Sequence, residues 1–381
     1  MKKLNMLDLR SEYEYMKKDI DNAILNCMES QQWILGPEVG LLENKVAEYL
    51  MIKNCVGVAS GTDALVLALR ALAIKLTGKE YFDRSDKIIT TPFTFTATGE
   101  AIFRSGATPV FIDIDPVTFN IDPNKIKDYL EMKPVRVIGI IPVHLYGLAC
   151  DMDAITSISE KYNLFILEDV AQAFGGRWND ERLGTLGNAG AFSFFPSKNL
   201  GGFGDGGMVA TKDDKIAELV RMLLKHGGKD KYDVEHIGYN SRLDTIQAAI
   251  LLAKLKYVDE FNNKRGNIAK IYSRELSGVD GLIIPQAPED GADCVYNQYT
   301  IRVLNNRRDS VQKVLNEAGI STAVYYPVPL DKMRVFVGKS EVPQELKEAK
   351  KASEEVLSLP IEPLLSEEEI TYVCINLKKA C

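Results

Sequence analysis

Between about Val46 and Ala210 the chain alternates short, continuously apolar runs with helical patterns, and this alternation leaves few folds open to it. Ile88–Thr91, Val110–Ile114, Val135–Val143, Leu164–Leu167, Ala189–Phe195 and Met208–Thr211 read as strands, and several lack the polar alternation of a half-solvated sheet. A strand that is apolar on both sides has to be covered on both sides. That is the habit of a parallel sheet between layers of helices. Asp63–Ile74, with Leu65, Leu67, Leu69 and Leu72 among alanines, suits one such buried helix. The expected class is α/β, a mostly parallel sheet flanked by helices.

Past the helical pattern of Thr245–Tyr257 and the charged stretch Asp259–Arg265 the composition changes. Tyr296–Leu304 and Thr322–Pro327 read as strands, and Ser310–Ala318 and Pro343–Leu357 as helices, so a smaller α+β domain is expected at the C-terminal end. With 381 residues the chain is long enough for two cores, and the expected division is 1–261 and 262–381.

A formal net charge of −7 argues against a general nucleic-acid or anionic-membrane surface, so any phosphate has to be met by a local pocket. The stretch Met1-Lys2-Lys3-Leu4-Asn5 lacks the apolar core of a signal peptide, and no run approaches the ~18 apolar residues of a membrane span. A cytoplasmic protein is expected. Six cysteines without a CxxC pair and only three histidines support neither a disulfide framework nor a zinc site, so no metal is expected.

Chemistry enters with Ser193-Phe194-Phe195-Pro196-Ser197-Lys198-Asn199-Leu200-Gly201, where one lysine stands between an apolar run and a glycine-rich loop. Partial burial lowers a lysine pKa and frees its lone pair for a Schiff base with an aldehyde cofactor, whereas a lysine left at a solvated turn does nothing of the kind. A nucleotide P-loop is excluded, since there the glycines precede the lysine. Three further clusters fall at strand ends. In Ala59-Ser60-Gly61-Thr62-Asp63 the N–H groups of Gly61 and Thr62 and the Thr62 hydroxyl can cradle a phosphate at a helix N-terminus; the same residues also make a plain N-cap. In Pro92-Phe93-Thr94-Phe95-Thr96-Ala97-Thr98, Phe95 can stack on a planar ring or pack into the core. Phe165–Asp169 is an apolar strand ending in Glu168 and Asp169, and an aspartate at such an edge can keep a pyridine nitrogen protonated. The pair can equally cap a helix, while a metal role lacks histidine partners.

In this order the clusters resemble the four signatures of the DegT/StrS-type nucleotide-sugar aminotransferases: Gly61-Thr62-Asp63-Ala64-Leu65, Glu168-Asp169-Val170-Ala171-Gln172, Ser193–Gly201 and Gly238-Tyr239-Asn240-Ser241-Arg242-Leu243. The likeness extends to the opening Trp33-Ile34-Leu35-Gly36-Pro37-Glu38. It implies a fold-type I pyridoxal phosphate enzyme acting as a homodimer, with Lys198 as the Schiff-base lysine and Asp169 on the pyridine nitrogen. It further implies Gln172 near the ring hydroxyl, Phe95 on the ring face, and Gly61, Thr62 and Ser193 on the phosphate. By the same likeness Asn240 reaches the phosphate from the partner subunit and Arg242 lies near it or near the substrate. The implied reaction moves an amino group from L-glutamate to a keto sugar carried on a nucleoside diphosphate. Tyr325-Tyr326-Pro327-Val328-Pro329 resembles a segment of members that aminate C-3, whereas C-4 enzymes interrupt it; both tyrosines can also be packing residues of a strand. A related sugar dehydratase has histidine in place of the lysine, and a non-catalytic cofactor-binding regulator is the other alternative. One departure is the longer segment Ile74–Asp86, expected to alter a surface loop rather than the chemistry.

Overall fold

The apolar runs become strands of one sheet. The computed structural model describes residues 3–230, 232–288 and 291–381; Met1, Lys2, Lys231, Glu289 and Asp290 lie outside the described residues. Along the chain come β1 (Asn54–Val58), β2 (Lys87–Thr90), β3 (Thr108–Phe111), β4 (Val137–Ile140) and β5 (Phe165–Asp169). The two-residue strands β6 (Arg177–Trp178) and β7 (Glu181–Arg182) then pair as a hairpin, and β8 (Ala189–Ser193) and β9 (Gly207–Thr211) follow. Seven of these form a sheet in the order β1-β9-β8-β5-β4-β2-β3. All run the same way except β9, which is antiparallel to both β8 and β1.

Burial explains the missing polar alternation, because β5 and β9 are buried at every position. Successive residues feed two cores: Ile89, Ile166 and Met208 pack on one face, Ile88, Leu167 and Val209 on the other. The helix Gly61–Thr77 is buried without interruption from Ala64 to Ala73 and ends at Gly78, whose φ of 71° suits a residue without Cβ.

A second sheet, β10 (Leu282–Ile283), β11 (Tyr299–Val303) and β12 (Val356–Leu359), is antiparallel throughout. Helices Val258–Leu276, Arg308–Glu317 and Glu367–Ala380 cover it, and Leu4 joins this core from the N-terminal end. The helix Val258–Leu276 serves both units, with Val258 in the core of the large sheet and Ile268, Tyr272 and Leu276 in that of the small one.

Four details differ from the reading of the sequence. Strand β1 was not anticipated, because Cys55 and Gly57 break up its apolar run. Thr322–Pro327 forms only the isolated bridge Ala323–Ser358, for Pro327 and Pro329 have no N–H to continue a ladder. The helix expected over Pro343–Leu357 spans only Lys347–Glu355, since the consecutively buried Val356, Leu357 and Leu359 are taken up by β12. The segment Ile74–Asp86 is a surface loop only in part: Lys79 and Asp83–Ser85 are exposed, but its start extends the preceding helix to Thr77 and Phe82 is buried, stacked on Phe165 with ring centroids 6.0 Å apart.

Candidate active site

Because β1, β2, β4, β5 and β8 point the same way, the residues that follow them meet along one edge of the sheet, where open α/β folds bind ligands. Gly61 follows β1, Phe95 follows β2, His144 follows β4, Asp169 ends β5, and Ser193 ends β8 just ahead of Lys198.

Period-two alternation sends the last two carboxylates of β5 to opposite sides. Glu168, wholly buried, accepts from the N–H groups of Gly184, Leu186 and Gly187 at 2.7–2.8 Å and lies 3.2 Å from His144 Nε2. It is a structural anchor for the loop before β8, and no cluster able to hold a metal occurs among the described residues. Asp169 faces the site edge. Its Oδ2 accepts from the Thr98 hydroxyl at 2.9 Å and its Oδ1 from the Ala171 N–H at 3.2 Å. Burial pushes this carboxyl above its usual range, against the pull of Thr98, Ala171, Lys198 and His144. Burial likewise pushes the Lys198 ammonium down, and the nearby Asp169 charge offsets this only in part. A half-buried lysine with a depressed pKa, electrostatically coupled to a buried aspartate, is the combination that nucleophilic amine chemistry requires.

Around this pair lie groups suited to a planar ring that carries a phosphate. At the start of the helix Gly61–Thr77, Ser60 is the N-cap, accepting from Asp63 N at 3.1 Å, and the N–H groups of Gly61 and Thr62 have no protein partner among the described residues. The helix end is therefore both capped and open to an anion. A Cβ on Gly61 would stand 2.6 Å from Ser193 Cβ, so the glycine lets the helix end close on the serine. Phe95, at the N-cap of the helix Thr96–Arg104, is 58% exposed, which an apolar ring tolerates best when something planar covers it. Gln172 is buried and held from both sides: its Oε1 accepts from Tyr146 N at 2.7 Å and its Nε2 donates to the Tyr326 hydroxyl at 2.8 Å. Tyr146 in turn donates to the Tyr325 carbonyl, so both tyrosines of the Pro-rich segment are tied to the site. Burial and the Asp169 charge hold the Tyr326 phenol well above its ordinary range.

The structure thus brings together Asp169, Lys198, Ser193, Gly61, Thr62, Gln172, Phe95, Tyr325 and Tyr326. Asn240 and Arg242 make no hydrogen bond to this group among the described residues, although their loop pairs with Val58 and Ala59 just ahead of Gly61. Arg242 donates to the Asn240 side chain, bridges to Val58 at the end of β1, and keeps its Nε enclosed without an acceptor among the described residues. Two cavities, of 310 Å³ and 710 Å³, lie elsewhere and are lined by neither Lys198 nor Asp169. Reading the sequence missed Thr98, Tyr146 and His144 as supports. Thr98 stood inside a cluster already singled out, but nothing in the pattern distinguishes one hydroxyl of that cluster from another.

Known proteins resemble this chain over almost its whole length. The chain is 44% identical over 369 residues to the "Pleiotropic regulatory protein" of Geobacillus stearothermophilus, covering 97% of this chain and 96% of that one. It is 39% identical over 374 residues to a UDP-2-acetamido-2-deoxy-3-oxo-D-glucuronate aminotransferase of Pseudomonas aeruginosa, covering 98% and 99%. The crystal structure of S. venezuelae DesV in complex with a ketimine intermediate superposes with a TM-score of 0.93 at 36% identity, covering 100% of this chain and 98% of that one. Residues 14–378 match the family as a whole, and the sheet order is that of a fold-type I enzyme. On this fold and these residues, the chain belongs to the DegT/DnrJ/EryC1/StrS aminotransferase family, whose cofactor is pyridoxal phosphate.

Proposed function

We propose that this protein transfers an amino group from L-glutamate to C-3 of a keto sugar linked to a nucleoside diphosphate, in a homodimer that shares its active sites. The observation that carries the amine chemistry is the meeting at one sheet edge of Lys198, just past β8, with the buried Asp169 at the end of β5, beside the open helix end at Gly61 and Thr62. Bound pyridoxal phosphate supplies an electron-poor ring that accepts carbanionic charge and carries nitrogen between the two substrates. Lys198 would hold the cofactor through its amine, and the same amine would serve as the general acid/base that moves a proton at the reacting carbon. Asp169, fixed by Thr98, keeps the ring nitrogen protonated. Gly61, Thr62 and Ser193 would hold the phosphate, Gln172 would lie toward the ring hydroxyl, and Phe95 would pack on the ring. Donor amino acid and keto sugar go in, and 2-oxo acid and amino sugar come out.

The C-3 assignment rests on the uninterrupted Tyr325–Pro329 segment and on the P. aeruginosa relative, whose name specifies a 3-oxo sugar nucleotide. The homodimer is supported by exposed apolar residues beside Arg242. Trp33, Ile34 and Leu35 are exposed, and Ile34 bridges to Asp244, two residues beyond Arg242. An apolar rim next to a cationic loop suits a second copy of the chain. Residues 1–261 would then form the cofactor domain and 262–381 the smaller one. No helix among the described residues is long and apolar enough to cross a membrane, and a cytoplasmic enzyme is the reading we adopt.

The regulator reading draws on the name of the G. stearothermophilus relative. Incubation with glutamate and paired 3-keto and 4-keto sugar nucleotides, with products assigned by NMR, separates the possibilities. Nitrogen on C-3 is expected. Nitrogen on C-4 rejects the position but keeps the transaminase, and no change in cofactor absorbance with glutamate favours the regulator.

A further inference from the structure

Arg70 is fully buried, which is unusual for a guanidinium, and it ties together three separate parts of the chain. It lies on the helix Gly61–Thr77. Its Nε donates to the Glu80 carbonyl at 2.5 Å and its Nη2 to the Glu80 carboxylate at 2.7 Å, both in the segment whose length departs from expectation. Its Nη1 donates to the Tyr239 hydroxyl at 2.8 Å and its Nη2 also to the Ile237 carbonyl at 3.1 Å. The guanidinium carbon lies 3.8 Å from the centre of the Tyr81 ring. The second oxygen of Glu80 is 2.6 Å from His236 Nδ1.

These contacts converge on the loop that carries Asn240 and Arg242. The loop backbone is pinned at the same time: Tyr239 N donates to Leu223 O at 2.7 Å, Ser241 N to Leu224 O at 2.9 Å, and Ala59 N to Ser241 O at 3.0 Å. Asn240 and Ile237 nevertheless point outward and are exposed. Only the Arg70 side of this ion pair is fully buried, Glu80 being partly exposed, and such a pair is weak as a source of stability because desolvation of the guanidinium offsets most of its attraction. What a fork of five donors supplies instead is a fixed geometry for whatever it holds. Here it holds the stem of an exposed, polar-tipped loop.

We infer that Arg70 and Glu80 are positioning residues that set the Ile237–Arg242 loop so that Asn240 and Arg242 reach the cofactor phosphate of the partner subunit. The inference rests on the shared-site reading above and adds residues that touch neither cofactor nor substrate. It makes a specific demand: a defect at Glu80 must appear in the site of the other subunit.

The test uses the full-length holoenzyme and Glu80→Gln, which keeps the shape and removes the charge facing Arg70. Loss of pyridoxal phosphate on dilution, followed by its absorbance, should be at least about tenfold faster in Glu80→Gln dimers, as it should be in Asn240→Ala dimers. Mixed dimers then locate the effect. Pairing Glu80→Gln with Lys198→Ala leaves one working site, built from the Lys198 of the first subunit and the intact loop of the second, so retention there should be that of wild type. Pairing the double variant Lys198→Ala/Glu80→Gln with wild type should restore the fast loss. If Glu80→Gln homodimers retain cofactor normally, or if the defect travels with the subunit that supplies Lys198, the inference is overturned. If Asn240→Ala alone changes nothing, the shared-site reading fails first. Should Glu80→Gln prove unstable, Tyr239→Phe removes one acceptor of the same fork and has to show the same pattern on a smaller scale.

Discussion

Lys198 carries a conflict between solvation and function that can be measured without any substrate. Its ammonium is destabilised by burial more than Asp169 restores it, so its pKa falls below the ordinary 10.5. In the unfolded chain no such penalty exists, and between the folded and unfolded pKa values the unfolded state binds more protons. Stability therefore rises with pH across that window. The penalty is complete below the folded value and gone above 10.5. Replacing the residue by an uncharged side chain of similar length removes it. Cofactor-free Lys198→Met should accordingly be more stable than the cofactor-free wild type at neutral pH, and the gap should close as pH approaches the ordinary lysine value. Thermal melts of both proteins across that range check this; a gap that stays constant would mean that Lys198 is not desolvated. Asp169 belongs to the same scale. Asp169→Asn keeps the Thr98 hydrogen bond but loses the charge that protonates the ring nitrogen, and turnover should fall by roughly 10²–10⁴. Pyridoxal phosphate should still be retained through its phosphate contacts, which an absorbance spectrum of the purified variant would report.

At the scale of elements, the site depends on how closely a helix end approaches a strand end. Gly61 is there because a Cβ would meet Ser193 at 2.6 Å, with the Ser193 Cα at 3.1 Å, so no side-chain rotation relieves the clash. Gly61→Ala should push the helix off β8, cost about 1–3 kcal/mol of stability, and weaken phosphate binding. Both effects are readable, one by a denaturant melt and the other by cofactor titration. A variant that melts early yet binds cofactor as wild type would separate the packing role from the cradle. The glycine and its serine stood out in the sequence because one opens a strongly patterned helix and the other lies in an apolar strand run. So did Asp169 and Lys198. Tyr325 and Tyr326 were ambiguous for a physical reason: aromatic residues between β-branched ones and prolines look like an edge strand. Which it is depends on Gln172 and Tyr146, more than 150 residues away, whose amide and hydroxyl claim them. The role of Ile74–Asp86 was hidden in the same way. Its Glu80 is held by Arg70, which also reaches Tyr239, and no local pattern announces that a guanidinium will be buried against it.

For the whole molecule, the main question is where the second half of each site comes from. Within one chain Asn240 and Arg242 are joined to each other and to the end of β1, and none of their hydrogen bonds reaches Lys198, Asp169 or Gln172 among the described residues. Their loop adjoins the exposed Trp33–Leu35 stretch, an apolar surface that a second copy of the chain would cover. If two chains meet there around a twofold axis, each loop enters the site of the other, and every site consists of Lys198 from one subunit and Asn240 with Arg242 from its partner. Lys198→Ala dimers and Asn240→Ala/Arg242→Ala dimers should then both be inactive, for different reasons. Mixing and exchanging the two should restore about a quarter of the wild-type rate, since about half the dimers are mixed and each contains one intact site. The product is the same amino sugar, and activity should track the fraction of mixed dimers separated by differential tags. A site complete within a single chain gives no rescue at any mixing ratio, because each subunit then keeps its own lesion. Mixed dimers that form and remain inactive would therefore place Asn240 and Arg242 in the site of their own chain and overturn the shared-site reading.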